Sequence, residues 1–379
     1  MKNAGKHIRV GIDGRDLQIA KTGSKTYLSE LLNAAEGLSN EELAFVQLKP
    51  FFPLLKLNGK LGKLIKHIQF IWWKQISLPL LAKLKKCDVL ICTDYFLPSL
   101  KLGIKHLVVF HDAFFWEYPS HYNQFWLKLF YTWAVPAAKR ADRILVPSLY
   151  VQQRIMHFIN VDDHQLSVVY EAPKTFENSQ KANGGDKNVK EDIPYLLHVG
   201  ALSKHKNLPF LIKAFKRALE TSKQNWRLIL VGGAGNSTSD DDSELIKNTI
   251  QEHGLEDKVL LEGYLSDDEV SFYYQKASSY IFPSYNEGFG LPLLEAMRFN
   301  LPIAAANNTS LPEIGKDAAI YFDPFNMEDM AGAIQKIMGR DETTLSTLSK
   351  QTKVLSSYSW SKAVLEIKAI CYSISEYHH

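Results

Sequence analysis

The stretch from Ser278 to Met297 restricts the fold of this chain more than any other. Ser278-Ser-Tyr-Ile-Phe-Pro283 reads as a short buried strand that ends at a proline. Leu291-Pro-Leu-Leu-Glu-Ala-Met297 reads as the first turns of a helix, because proline is well tolerated at the first helical position. Gly288, Phe289 and Gly290 make the turn between them. A strand that feeds a helix through a glycine turn belongs to a βαβ pattern, which calls for a sheet with helices packed on it. Glu287 then lies at the carboxyl end of the strand and Glu295 one turn into the helix, with seven residues between them. The first N–H groups of a helix lack intrahelical partners, and the dipole favours negative charge there. A diphosphate in the middle, with a carboxylate on each side to accept hydrogen bonds from hydroxyls, describes a nucleotide sugar. On charge pattern alone the two glutamates equally fit a solvent-facing residue before a turn and a residue that merely favours the helix dipole.

Strand-like runs recur along the chain. Ile8–Asp13, Asp88–Cys92, His106–Phe110, Tyr195–Gly200, Trp226–Gly233, Lys258–Gly263 and Leu301–Ala306 are compact and apolar, while Gly23–Leu32 and Leu208–Leu219 have helical spacing. With 379 residues, 46% of them hydrophobic, there is apolar material for two domains. We expect one domain over residues 1–180, a second over 190–355 and a final helix over 356–379. Thr175 to Asp192, polar and holding Gly184-Gly185, reads as the linker. Met1 to His7 runs straight into a strand and lacks a signal-peptide pattern. No apolar run approaches the ~20 residues that span a bilayer. Cys87, Cys92 and Cys371 are too few and too scattered for a disulfide framework or zinc cluster, which points to a reducing, cytoplasmic setting. His378-His379 is given no role.

Charge is divided unevenly. Residues 1–150 hold 21 Lys and Arg against 11 Asp and Glu, the remainder 23 against 30. A basic first half points to an anionic partner or surface. Residues 51–87 lack any acid and carry Lys56, Lys60, Lys63, Lys66, Lys74, Lys83, Lys85 and Lys86 among apolar residues that include Phe70, Trp72 and Trp73. This pattern fits a basic amphipathic surface resting on an anionic membrane, and it fits a helix with solvated lysines and both tryptophans in the core. No recognition motif for nucleic acid accompanies it.

Several strand ends carry chemistry. His111-Asp112 follows His106–Phe110, where side chains line the cleft of an open α/β sheet, although a lone His also serves structural roles. Gly14–Thr22 links the first strand to a helix beginning at Gly23, either a turn glycine or a close approach for a ligand. G-x-G-x-x-G is missing, which argues against a dinucleotide oxidoreductase. Ala201-Leu-Ser-Lys-His-Lys-Asn207 is a basic loop at a strand end, suited to a leaving diphosphate or simply solvated. Asp240-Asp-Asp242 reads as solvated acid in a polar loop rather than a metal site.

Phe282–Met297 resembles, almost residue for residue, the E-x7-E signature of retaining nucleotide-sugar glycosyltransferases of family 4. The likeness is strongest over 195–325, clear at 8–30 and 106–148, and absent from the basic stretch. Ala141–Ser148 and Ser310–Pro324 also follow the family pattern. The resemblance implies the α/β GT-B fold: two Rossmann-like domains facing each other across a cleft, the first for the acceptor, the second for the donor, with the last helix crossing back. It implies catalytic roles for Glu287, His111 and Lys206, His111 touching the transferred sugar and Asp112 either orienting it or meeting the acceptor. It implies donor binding by Gly23, Gly200, His205, Tyr264, Leu265, Gly288, Phe289, Gly290, Leu291 and Glu295, with Glu295 on the ribose and Tyr264 and Leu265 near the base. Two departures stand out. Val168–Pro173 replaces the usual Pro-Asn-Gly, and Ala201 and His205 occupy the places where relatives have an arginine. The implied activity is hexosyl transfer, mannose from GDP-mannose before any UDP-sugar, without a metal, onto a saccharide or lipid-linked acceptor at the inner face of the membrane. The rival readings are a GT-B epimerase or hydrolase and a non-catalytic binding module.

Overall fold

The computed structural model describes residues 7–19, 23–39, 43–50, 59–176, 193–222, 224–235 and 239–376. The expectations for residues 1–6, for 51–58 of the basic stretch with the side chains of Lys60 and Lys63, for 177–192 of the linker and for 378–379 lie outside the described residues. The chain forms two compact units. One holds residues up to Pro119, Gln124–Glu171 and the segment from Ser359, and the other Ser120–Asn123 and Ala172–Tyr358.

The first unit is built on strands β1 (Ile8–Asp13), β2 (Leu43–Leu48), β3 (Val89–Cys92), β4 (Lys105–Val109), β5 (Arg143–Val146) and β6 (Leu166–Val168). All pair in parallel, in the order β2-β1-β3-β4-β5-β6. A parallel sheet is covered on both faces, which is why β3 and β4 read as unbroken apolar runs. The chain leaves β1 towards β2 on one side and β3 on the other. The carboxyl ends of β1 and β3 therefore flank the topological switch point. The helix Gly23–Leu38 packs against the final helix Trp360–Glu376, with Tyr27 and Trp360 edge to face at 5.5 Å.

The described residues of the basic stretch include one continuous helix in three parts: α-helical Gly59–Trp72, a π turn over Trp73–Ser77, and α-helical Leu78–Leu84. Proline explains the π turn. Pro79 has no N–H and its ring crowds the carbonyl four residues back, so the preceding turn widens. A second π turn, Phe130–Ala134, stands in the same relation to Pro136. Trp73 and Lys74 face the core and Trp72 faces solvent.

The second unit repeats the plan with β7 (Tyr195–Val199), β8 (Arg227–Val231), β9 (Val259–Gly263), β10 (Ser279–Phe282), β11 (Ile303–Ala306) and β12 (Ile320–Phe322). Its order is β12-β11-β10-β7-β8-β9, all parallel, with the switch point between β7 and β10. Among the described residues no helix is long and apolar enough to cross a membrane.

Candidate active site

The second unit's switch point collects most of the residues singled out from sequence. After β10 the chain runs through Pro283 to Gly290 and enters the helix Leu291–Arg298, which has a proline in its first turn. Gly290 has φ +100°, and a Cβ there would lie 2.7 Å from Leu311 Cδ2, so glycine is required. The loop is pinned from one side: the Ser310 hydroxyl donates to Glu287 O at 3.0 Å and Phe289 O at 3.1 Å. After β7, the turn Lys204–Lys206 leads to Asn207, whose amide donates to Pro283 O at 3.3 Å and Pro324 O at 2.9 Å. These bonds hold the two strand-end loops together. Lys206 Nζ donates to Glu287 Oε1 at 2.6 Å and lies 5.4 Å from the centre of the Phe282 ring. At Gly200 a Cβ would press to 3.2 Å from His198 Nε2, while the Lys206 stem would lie at ordinary contact distance.

Burial alone would raise the Glu287 carboxyl. The Lys206 and His205 charges and the hydrogen bonds outweigh it, so the group stays below its ordinary range and remains ionised. Beneath the pair lies His198, fully buried and pushed down to about 4 by burial and by the Lys206 charge. Its Nδ1 pairs with Ile281 O at 3.1 Å, while Nε2 has no partner among the described residues. Glu295 is also buried, but its partner is a hydroxyl. Tyr274 donates to Oε2 at 3.0 Å, and burial outweighs that bond to push the carboxyl up to about 7. Near neutrality, therefore, Glu287 is ionised while Glu295 is in the middle of its titration.

Other assignments fall further away or change. Tyr264, 74% exposed, and Leu265 follow the edge strand β9, two strands from β7. Asp240 is not solvated acid. It is 8% exposed and receives His121 Nδ1 at 3.2 Å, with His205 Nδ1 at 3.9 Å. His205 is thus turned towards Asp240. Among the described residues no three His, Cys, Asp or Glu side chains gather as metal ligands would.

In the first unit His111 follows β4, and the group facing its Nδ1 is Glu171, with the Asp112 charge also acting on the ring. Asp112 accepts from the N–H of Phe114 at 2.9 Å. Glu171, 5% exposed, faces His111 Nδ1 at 3.3 Å, and Nε2 donates to Thr93 O at 2.9 Å. Both ring nitrogens face acceptors, an arrangement that suits the imidazolium. Burial opposes that charge, but the Glu171 hydrogen bond and charge prevail and raise the group. Tyr27 packs edge-on to the ring at 4.8 Å, one helical turn after Gly23, around which a Cβ would meet open space. At the ends of β1 and β3 lies a further charged knot. Lys74 is wholly buried, not solvated. It donates to Asp13 at 2.6 Å, to Asp94, and to Phe96 O at 3.0 Å, while Trp73 Nε1 donates to Asp13 at 2.9 Å. Beside it Asp16 is pushed up to about 7 by burial and the Asp94 charge.

Comparison with known proteins adds the family. Residues 43–172 match the family described as Glycosyltransferase Family 4, and residues 179–353 that described as Glycosyl transferases group 1. The first match includes the basic stretch, where the sequence had shown no resemblance. The chain is 27% identical to the O-antigen chain mannosyltransferase RfbU of Salmonella typhimurium over 281 residues, 74% of this chain and 72% of that one. It is 27% identical to O-antigen chain mannosyltransferase B of Escherichia coli over 166 residues, 44% of this chain and 42% of the other. Among solved structures, sucrose-phosphate synthase from Thermosynechococcus elongatus superposes with a TM-score of 0.70 at 17% identity, covering 97% of this chain and 99% of the other. Anabaena HepE in complex with UDP and glucose gives 0.67 at 16%, covering 97% and 100%. At such identity the structures show the GT-B fold alone. The two family matches, together covering most of the sequence, establish that this chain belongs to the glycosyltransferases, joining a family 4 domain to a group 1 domain.

Proposed function

We propose that this glycosyltransferase moves a hexose from a nucleotide-diphosphate sugar to a saccharide or lipid-linked saccharide, retaining anomeric configuration. The observation that carries the reading is the part-buried Lys206–Glu287 pair at 2.6 Å, at a switch point and beside a helix start. Lys206, with the N–H groups of Gly290 and Leu291, takes up charge as the bond between the sugar and phosphate oxygen breaks. These donors occupy the role a divalent cation plays elsewhere, and preorganised donors aimed at developing charge are often the largest catalytic term. Glu287, kept ionised, accepts from hydroxyls of the donor sugar through the oxygen Lys206 leaves open. Glu295 accepts from the ribose, while the loop at Tyr264 and Leu265 lies by the base. Gly200 and the turn at Gly288 and Phe289 keep backbone close to the diphosphate, and His205 stands in the loop beside it, turned towards Asp240. The acceptor hydroxyl attacks from the face the phosphate leaves and passes its proton to the departing diphosphate. No covalent sugar–enzyme bond is needed.

In the first unit, which takes the acceptor, Gly23 allows close approach and His111 presents its charged ring to the transferred sugar. The mannosyltransferase names of the relatives favour GDP-mannose, with UDP-sugars next. Free, buried Cys87, Cys92 and Cys371 fit a cytoplasmic setting. Lys206→Ala and Glu287→Ala should each lower turnover of the true donor by about 10²–10³-fold in folded protein. Wild-type turnover in either variant refutes the site. Nucleotide release that needs no acceptor marks an epimerase or hydrolase instead, and calorimetric binding without turnover a binding module.

A further inference from the structure

We propose that the outer face of the helix running from Gly59 to Leu84 docks on an anionic lipid bilayer, an inference independent of the transfer site. Leu64, Ile68, Trp72, Ile76, Leu80 and Leu84 recur at every fourth residue and are 54%, 56%, 59%, 39%, 49% and 77% exposed. Scattered exposed apolar residues are ordinary, but six in one register make a patch. The opposite face, with Phe70, Trp73, Leu78 and Leu81, is core. A four-residue repeat drifts around a regular α-helix, and the wider π turn at Trp73–Ser77 offsets part of that drift. Phe125, 37% exposed and stacked on His67 at 4.1 Å, widens the patch.

Charge selects the occupant. Residues 51–87 contain no Asp before Asp88 and no Glu, and Lys66, Lys83, Lys85 and Lys86 are exposed. Near Leu84, three lysines (Lys83, Lys86 and Lys105) against one acid, Asp88, line a depression of about 300 Å³. A second copy of the chain would bring lysines against lysines across a two-fold contact. An anionic leaflet instead complements them, each nearby lysine strengthening attachment roughly fivefold, while Trp72 suits the level of the headgroups.

The test is co-sedimentation of the full chain with vesicles of phosphatidylcholine alone or with about 30% phosphatidylglycerol. The wild type should pellet with the anionic vesicles and release in high salt. Trp72→Ser combined with Leu80→Ser should weaken this by at least about tenfold with unfolding temperature unchanged, since both residues are exposed. Lys66→Gln combined with Lys83→Gln should reduce the preference for phosphatidylglycerol. Equal binding to both vesicle types, no binding by the wild type, or an unaffected serine variant overturns the proposal. So does a wild-type dimer that the serine variant splits, which would give the face to a second copy.

Discussion

Glu295 stands near half-ionisation at neutral pH, and ribose hydroxyls are held better by a carboxylate, which only accepts, than by the acid. Lowering pH from about 8 to about 6 should therefore raise the donor KM, and Glu295→Gln should flatten the profile. Tyr274→Phe removes the hydrogen bond that favours the carboxylate, so the midpoint should move to higher pH. A midpoint that falls, or a glutamine variant with the wild-type slope, contradicts the role. His111 has the opposite sign. Glu171→Gln removes the bond and charge that raise it and leaves burial, which lowers it, so its NMR titration should shift to lower pH. An unchanged titration would mean that Glu171 does not govern the ring. Glu171 was hidden from sequence reasoning. It lies in the Val168–Pro173 loop, which departs from the family pattern, and it is 60 positions from its partner.

At the level of elements, two glycines make a paired test. Gly290→Ala forces an L-residue to φ +100° and against Leu311, a cost of about 1–3 kcal/mol visible in thermal unfolding and in donor affinity. Gly23→Ala meets open space, so it should leave stability unchanged within about 0.5 kcal/mol while slowing transfer. Full activity in that variant removes Gly23 from the site. Lys74→Met leaves buried Asp13 and part-buried Asp94 without their cation, and unfolding should show a loss of about 3–5 kcal/mol. The strands were legible because a buried parallel strand must be apolar throughout. The loop around Glu287 was legible because proline and glycine fix its start and stop. Lys74 was not, since in sequence it is one lysine in a series. It shares the core face with Phe70 and Leu78, each four residues away. β2 was passed over because Leu43–Leu48 is partly solvated on this edge of the sheet and lacks a continuous apolar signal.

For the whole molecule, ligand linkage gives the broadest measurement. A donor at 100 times its Kd stabilises the fold by about 2.7 kcal/mol, so a thermal-shift screen of GDP-, UDP- and ADP-sugars should rank GDP-mannose first. A larger shift with UDP-sugars reassigns the donor and leaves the site intact. The helix from Gly59 to Leu84 also sets a rule for length variation. Trp72 faces solvent while Trp73 is tied to Asp13 within the core, so the helix has a fixed phase as well as a sequence. Each α-helical residue turns the chain by about 100°. Losing one residue between Leu64 and Trp72 would swing the leading turns that far away from Ile76, Leu80 and Leu84 and split the stripe. A gain or loss of three or four residues would nearly restore it. Insertions and deletions in this stretch should survive selection in whole turns, even where every substituted residue is apolar or basic.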